Sequence, residues 1–237
     1  MRHIAFLVAA IFCGCLHQAA QARTYVISVG LCDYPGTVND LRVCEDDAKS
    51  IVNVFNNVSG VTTQMLLSKE ATRFDVLRVL HATSATARKD DTIIFYFSGH
   101  GQPGALVCYD GELPYGYIVS QLLKSKSKKK FVFIDACYAG GVRSTNEQDF
   151  SYKDQEIMFF SSSRTKELSG QSAYKNSVFT IFLERGLRGG ADANLDRTIT
   201  ARELYDFVHQ GVVAATKGVQ HPVMWGKFKD RVPVIKW

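Results

Sequence analysis

Short apolar segments alternate with amphipathic segments along most of the chain. The apolar runs are rich in β-branched and aromatic residues and are bounded by Gly, Ser or Asp, as is typical of strands buried in a parallel sheet. They predict strands over 24–30, 61–68, 92–98, 131–136 and 156–163.

The segments between these runs carry apolar residues at helical spacing. This pattern predicts helices over 43–58, 71–87, 115–125, 177–190 and 199–216. In the second helix, Phe74, Leu77, Val79 and Leu80 are expected on or near one face.

Two further patterns complete the outline of the chain. Residues 105–116 predict a short hairpin with Asp110-Gly111 at its turn, and the C-terminal segments 220–226 and 231–237 read as extended. The repeated order of strand and helix predicts an α/β fold with a mainly parallel sheet covered on both faces. Ligand sites in such sheets gather at the carboxyl ends of the strands.

The first 22 residues have the three parts of a secretory signal peptide. A basic start (Arg2, His3) precedes an apolar run too short to span a bilayer and a small-x-small ending at Ala20–Ala22. We expect cleavage after Ala22, an exported protein (periplasmic or secreted), and one domain over 23–237. Lipid attachment to Cys15 is the alternative, and no later segment is apolar enough to cross a membrane.

Amino-acid composition adds little to this assignment of fold class. The chain has 237 residues, 46% of them apolar, and a net charge of +5, which suits one α/β domain or at most two. The one dense basic run, Lys124–Lys130, is interpreted as a solvated helix end rather than a polyanion site. No nucleic-acid partner is therefore expected, and the sequence leaves the oligomeric state open.

Cysteine usage argues against a disulfide scaffold or a metal centre. Two of the six cysteines, Cys13 and Cys15, lie in the signal segment. The others are Cys32, Cys44, Cys108 and Cys137, without metal-type spacing. Free, buried thiols are the default expectation, and a Cys32–Cys44 bridge is the alternative in an oxidising compartment.

Two reactive side chains follow two of the predicted strands. His100 lies just past strand 92–98 in "SGHG", and Cys137 lies just past strand 131–136 in "IDACYAGG". Adjacent parallel strands would bring them to the same edge, where a histidine can take the proton of a thiol. The main-chain amides of Gly101 and Cys137 could then donate to an oxyanion. A buried, inert cysteine and a simple turn at "SGHG" are the alternatives.

The two motifs, in this order and each behind an apolar strand, resemble those of the caspase-like cysteine peptidases, and most of all the metacaspases. The likeness continues in "YVISVGLCDYPG", "LRVCEDDAKSI", "SSSRTKELS" and "ADANLDRTITARELYDFV", and so covers nearly all of 24–237. It implies a caspase–hemoglobinase fold, a three-layer αβα sandwich around a six-stranded, mostly parallel sheet. Tyr138 departs from the pattern, because many metacaspases have His there.

The resemblance also implies a reaction. His100 would be the general base and acid, Cys137 the nucleophile of an endopeptidase that forms a thioester acyl-enzyme, and no metal would be needed for the chemistry. The partner is then a protein or peptide substrate. A catalytically silent module that binds proteins and a peptidase of different specificity, such as a clostripain- or gingipain-like enzyme, are the rival interpretations.

Two carboxylates are expected to choose the substrate side chain. Asp135 and Cys137 are two residues apart and share a side in extended backbone. In metacaspases the residues matching Asp135 and Asp47 bind Arg or Lys through charge-assisted hydrogen bonds, and Cys44 fits the family's C-x-x-D. Asp47 has an alternative role as a helix-start carboxylate. Caspases that cleave after Asp use arginines instead, for which we find no match.

Segment 192–203 has the spacing of a calcium loop, with Asp192, Asn194, Asp196 and Glu203 at positions 1, 3, 5 and 12. Arg197 stands where such loops have glycine, which weakens this reading. The alternative is structural, because Thr200 and Glu203 form a capping box for the next helix. Calcium is thus expected at most as an activator. The polar linker 142–155 lies where the resemblance implies cleavage during maturation; Arg143 and Lys153 are candidate self-cleavage points, and an uncut loop is the alternative.

Overall fold

A computed structural model describes residues 21–56, 58–137, 156–162 and 175–236. The segments predicted as signal peptide and as linker, with Cys15, Tyr138, Arg143 and Lys153, lie outside these ranges. The described strands, in chain order, are β1 (Thr24–Gly30), β2 (Val61–Leu67), β3 (Thr92–Ser98), β4 (Gly101–Gln102), β5 (Ala105–Cys108), β6 (Gly111–Pro114), β7 (Lys129–Asp135), β8 (Glu156–Ser161), β9 (Thr198–Thr200), β10 (Val223–Lys227) and β11 (Pro233–Lys236).

Six of these strands form the central sheet in the order β10-β8-β7-β3-β1-β2. All neighbours in it are parallel except β10, which runs antiparallel to β8. The register sets Gly30 beside Ser98 and Ser98 beside Asp135, so β1, β3 and β7 end at the same level. The residues that follow these three strands therefore meet at one edge of the sheet.

Helices cover both faces of this sheet. They are α1 (Cys44–Phe55), α2 (Arg73–Thr86), α3 (Tyr115–Lys124), α4 (Val178–Arg185) and α5 (Ala201–Ala215). One apolar core lies between the sheet and α2 and α3, and a second lies between the sheet and α1, α4 and α5.

Strand β3 shows why two cores form. All seven of its residues are buried, and successive side chains point to opposite faces. Phe95 and Phe97 enter the first core, whereas Ile94 and Tyr96 enter the second. Truncating a buried phenylalanine in such a core typically costs about 3–5 kcal/mol.

Two predicted helices differ in extent from those in the structure, and one predicted hairpin is found. The helix predicted over 177–190 is α-helical only to Arg185 and then makes a π-helical turn, Gly186–Gly190, in which Gly189 has φ 110°. The helix predicted over 199–216 begins at Ala201, because residues 198–200 pair with β11. The predicted hairpin is present, with β5 and β6 joined at Tyr109 and Asp110.

The apolar face of α2 is not quite the predicted one. Val76, Val79 and Leu80 are buried, but Phe74 is 71% exposed. Phe74 lies in the first turn of the helix, beside Tyr117 and Pro114 in a surface groove, and helical spacing alone does not tell where the covering layer stops.

The lysine run also differs from its prediction. Only Lys124 belongs to the end of α3, and Lys129 and Lys130 begin β7. The Lys130 side chain is buried and donates to the Ser127 carbonyl oxygen, and desolvation lowers the pKa of Lys130 to about 8. None of the helices in the described ranges is long and apolar enough to cross a membrane.

Candidate functional site

His100 and Cys137 line one small cavity at the carboxyl edge of the sheet. His100 follows β3 and Cys137 follows β7, and the Gly99 amide donates to the Asp135 carbonyl oxygen at 3.2 Å, which extends the strand pairing to the site. The cavity has a volume of about 90 Å³. Its lining residues are Leu41, Val43, Cys44, Asp47, Ser98, Gly99, His100, Asp135, Cys137 and Ser177.

The imidazole of His100 is held by a carbonyl group. Its Nε2 lies 2.7 Å from the carbonyl oxygen of Asn39, in the loop between β1 and α1. Because a carbonyl oxygen only accepts, Nε2 carries the hydrogen, and in the neutral ring Nδ1 keeps its lone pair. An imidazole with a free Nδ1 can take a proton from a thiol.

The two glycines beside His100 accommodate the protein's own atoms. A side chain at Gly99 would collide with the Tyr34 hydroxyl and the Phe97 ring, and one at Gly101 would collide with the Cys137 carbonyl group. The close approach of Gly101 to Cys137 brings together the two residues predicted to supply the oxyanion donors, a role that stays a prediction.

Asp47 and Asp135 form the floor of the cavity, and both are almost fully buried. Asp47 accepts hydrogen bonds from the Ser98 hydroxyl at 2.9 Å, the Asn176 side-chain amide at 3.0 Å and the Ser177 main-chain amide at 2.9 Å. Asp135 accepts from the Ser177 hydroxyl and from the Thr180 hydroxyl at 3.1 Å. Ser177 therefore connects the two acids.

Burial and mutual repulsion both disfavour charge on these carboxyl groups. Burial first, and then the negative charge of Asp135, raise the pKa of Asp47 to about 7. Burial also raises the pKa of Asp135 above its usual range. The described residues that line the cavity include no Lys or Arg. Such a pair is suited to receive a cation from outside, which would stabilise both ionised forms.

Sequence reasoning missed Asn176, Ser177, Thr180 and Ser98. Ser177 is the N-cap of α4, where its hydroxyl accepts from the Thr180 amide at 3.1 Å. A serine directly before an apolar helix is a recognisable cap signal. That signal locates the start of a helix, but it carries no information on a second bond to Asp135.

The four cysteines in the described ranges are free thiols, as the default expectation has it, but only Cys44 and Cys108 are buried, whereas Cys32 and Cys137 are partly exposed. Cys44 lines the cavity from the first turn of α1, and its thiol is hydrogen-bonded to that of Cys32. This bond lowers the pKa of Cys32 and, together with burial, raises the pKa of Cys44. The two thiols of the alternative Cys32–Cys44 bridge are therefore neighbours, but they are not bonded to each other as a disulfide in this structure.

The 192–203 loop is held by its own hydrogen bonds. Asp192 accepts from the main-chain amides of Asp196 and Arg197, and Arg197 has φ 62°, the backbone form that calcium loops obtain with glycine. The Glu203 carboxylate accepts from the Thr200 amide at 3.0 Å and completes the predicted capping box. Within the described ranges no group of three acidic, His or Cys side chains could hold a metal ion. Calcium binding by Asp192, Asn194, Asp196 and Glu203 stays a prediction.

Comparison with known families gives a match over most of the chain. A family model described as caspase domain matches residues 23–232. Metacaspase-1 of Meyerozyma guilliermondii is 29% identical over 106 residues, 41% of this chain and 25% of that protein. Metacaspase-1 of Scheffersomyces stipitis is 27% identical over 110 residues, 43% of this chain and 27% of that protein. The chain thus matches about a quarter of the length of these relatives.

Solved structures share the fold. A protein from Geobacter sulfurreducens has a TM-score of 0.67 at 19% identity, with 86% of this chain and 92% of that chain covered. Caspase-1 from Spodoptera frugiperda has a TM-score of 0.63 at 17% identity, with 86% of each chain covered. The predicted three-layer fold with a six-stranded, mostly parallel sheet is confirmed.

Proposed function

Because this chain belongs to the caspase-domain family, we propose that it is a cysteine endopeptidase of metacaspase type that cleaves after Arg or Lys. The observation that carries the proposal is the single cavity lined by His100, Cys137 and the two buried carboxylates of Asp47 and Asp135. A thiol, a base and a cation-binding floor are the parts that such a reaction needs.

The reaction follows from these positions. Nδ1 of His100 takes the thiol proton of Cys137, and the thiolate attacks the scissile carbonyl carbon. The main-chain amides of Gly101 and Cys137 donate to the resulting oxyanion. The imidazolium then gives its proton to the leaving amine as the C–N bond breaks, which leaves a thioester on Cys137. Water, deprotonated by His100, hydrolyses that thioester and regenerates the thiol.

Asp47 and Asp135 account for the proposed preference for an Arg or Lys side chain before the scissile bond. A guanidinium or ammonium group between Asp47 and Asp135 would neutralise two carboxylates that burial and repulsion hold in an unfavourable state. Hydrogen bonds between ionised partners are about twice as strong as neutral ones. An Asp side chain in the same cavity would add a third negative charge, so cleavage after Asp is disfavoured.

The test is a set of fluorogenic peptides that end in Arg, Lys, Asp or Asn, each assayed with and without calcium. We expect turnover of the Arg and Lys peptides only, and its loss in Cys137→Ala and His100→Ala. Turnover that survives Cys137→Ala would overturn the peptidase assignment. Cleavage after Asp would overturn the role of Asp47 and Asp135 while leaving the thiol chemistry in place.

Export and processing belong to the same proposal. The N-terminal segment supports a signal peptide cleaved after Ala22, and basic specificity makes Arg143 and Lys153 sites of self-cleavage. N-terminal sequencing of the protein from a secreting host, and mass analysis of Cys137→Ala beside the parent, test these two points. An intact N-terminus would contradict the first, and identical linker cuts in both proteins would contradict the second.

A further inference from the structure

The Tyr34 side chain contacts His100 in two ways. Its hydroxyl accepts a hydrogen bond from the His100 main-chain amide at 2.8 Å. Its ring packs against the imidazole with 4.8 Å between the ring centroids. The same hydroxyl donates to the Val107 carbonyl oxygen of β5 at 3.2 Å. Tyr34 thus adds a second link between His100 and β5, beside the direct bond from the Val107 amide to the His100 carbonyl oxygen at 3.0 Å.

Tyr34 is itself rigidly held. Only 4% of its surface is exposed, and its main-chain amide donates to the Asp40 side chain at 3.0 Å. Asp40 follows Asn39, whose carbonyl oxygen accepts from the His100 imidazole. One loop, residues 31–41, therefore supplies both the contact that orients the ring and the contact that fixes the main chain beneath it.

The atoms around the Tyr34 hydroxyl favour these two hydrogen bonds. Gly99 lacks the side chain that would meet the Tyr34 oxygen at 2.8 Å. Burial raises the pKa of Tyr34 above its usual range, so at neutral pH the hydroxyl is protonated and can both accept from the His100 amide and donate to the Val107 carbonyl oxygen.

We infer that Tyr34 is a positioning residue, which keeps Nδ1 of His100 directed at the Cys137 thiol. This inference rests on the proposed peptidase function. Tyr34 does not line the cavity that holds His100, Cys137, Asp47 and Asp135, and its contacts with the site are those to His100. Its loss should therefore slow the steps in which His100 moves a proton and leave substrate binding by Asp47 and Asp135 unchanged.

The test compares Tyr34→Phe with Tyr115→Phe. Both substitutions remove one buried phenol oxygen, but the Tyr115 hydroxyl has no hydrogen-bond partner among the described residues. We expect Tyr34→Phe to lower kcat roughly 10- to 100-fold, the effect of small misplacements in active sites, with KM within twofold of the parent. Tyr115→Phe should match the parent in both. Active-site titration and the melting temperature correct each value for the folded fraction.

A second measurement needs no substrate. Iodoacetamide alkylation of Cys137, followed by peptide mass spectrometry from pH 5 to 10, reports how well His100 receives the thiol proton. In Tyr34→Phe the profile should move to higher pH, towards that of His100→Ala, while Tyr115→Phe keeps the parental profile. A purely structural role would lower the melting temperature without moving this profile.

Parental kcat and an unmoved alkylation profile in Tyr34→Phe would overturn the inference. So would a loss of activity that merely follows the loss of folded protein, or an equal effect in Tyr115→Phe. Full turnover by Cys137→Ala would instead refute the peptidase function, and the alkylation profile would still decide whether Tyr34 positions His100.

Discussion

Asp47 gives the proposed reaction a pH dependence whose direction follows from its surroundings. Burial and the charge of Asp135 raise its pKa to about 7, so in the free protein it binds a proton as the pH falls below that value. A substrate cation must then displace this proton. We expect kcat/KM for an Arg peptide to fall as the pH drops below about 7.

Replacement of Asp47 should weaken this fall of kcat/KM at low pH. Asp47→Asn keeps a polar group of the same size but cannot ionise, and the loss of one partner of a buried charge pair typically costs about 2–5 kcal/mol. We expect a large loss of kcat/KM for Arg peptides at pH 8 and a shallower fall below pH 7, because Asp135, whose pKa is also raised, is still present. An acidic limb unchanged in Asp47→Asn would contradict this origin.

Gly99 is constrained by the aromatic side chains around it. In Gly99→Ala the new methyl group would lie 2.8 Å from the Tyr34 oxygen and 2.9 Å from the Phe97 ring. Overpacking of this kind costs about 1–3 kcal/mol, so thermal unfolding should occur at a lower temperature. Gly116→Ala is the matched control, because a methyl group there meets nothing within 4 Å. Equal melting temperatures for the two variants would contradict the packing argument.

The start of α4 serves both the fold and the site. Ser177→Ala removes the cap, which costs about 1 kcal/mol, and also withdraws a donor from buried Asp135, which costs about 1–3 kcal/mol more. Thr72→Ala removes the cap of α2, where the hydroxyl accepts from the Asp75 amide at 3.1 Å and donates to the Asp75 carboxylate at 2.7 Å, far from the candidate site. Chemical denaturation should show the larger loss for Ser177→Ala, and only that variant should lose kcat/KM for Arg peptides. Equal kcat/KM in Ser177→Ala and Thr72→Ala would contradict a role of Ser177 in the site.

The capping box at the start of α5 separates the two readings of the 192–203 loop. Glu203→Gln keeps an acceptor for the Thr200 amide but removes the charge that a calcium ion would need. If the loop is structural, melting temperature is insensitive to calcium in both the parent and the variant. A calcium-dependent rise in the parent that Glu203→Gln abolishes would establish the metal site instead.

At the scale of the whole molecule, the buried acids reduce stability in the absence of a ligand. A carboxyl group whose pKa is higher in the folded chain binds more protons when folded, so the free energy of unfolding falls as the pH rises from about 4 to about 7. A cation bound between the two carboxylates stabilises their ionised forms and so opposes this loss of stability at higher pH. Agmatine, which carries a guanidinium group without a carboxylate, should raise the melting temperature more at pH 8 than at pH 5. The same shift in Asp47→Asn with Asp135→Asn would contradict binding at these acids.

The fold was largely predictable from the sequence because its central strands are short, continuous apolar runs, a pattern typical of strands buried in a parallel sheet. Strand β3 is an example, and the glycine-flanked His100 marks where it ends. The predicted helix ends were less accurate, since the π-helical turn after Arg185 and the strand β9 before α5 depend on packing between distant segments.

The site was predictable only where a side chain itself carries the chemistry. His100, Cys137, Asp47 and Asp135 stand out by residue type and by their place after a strand or at a helix start. The three partners of Asp47 come from 51, 129 and 130 residues away in the chain, and no local pattern encodes such bonds. The Asn39 contact uses a carbonyl oxygen, which every residue possesses, and so leaves no signature in the sequence.

The bonds of Ser177 to both acids also join the two parts of the chain that flank the 142–155 linker. Asp47 and Asp135 precede that linker, whereas Ser177 follows it, and β7 pairs with β8 along six residues across the same division. The residues that make these contacts all lie outside that linker. A chain cut there should behave as two polypeptides that elute as one particle and separate only in denaturant, and the two pieces, mixed after denaturation, should be able to rebuild the cavity without a covalent connection.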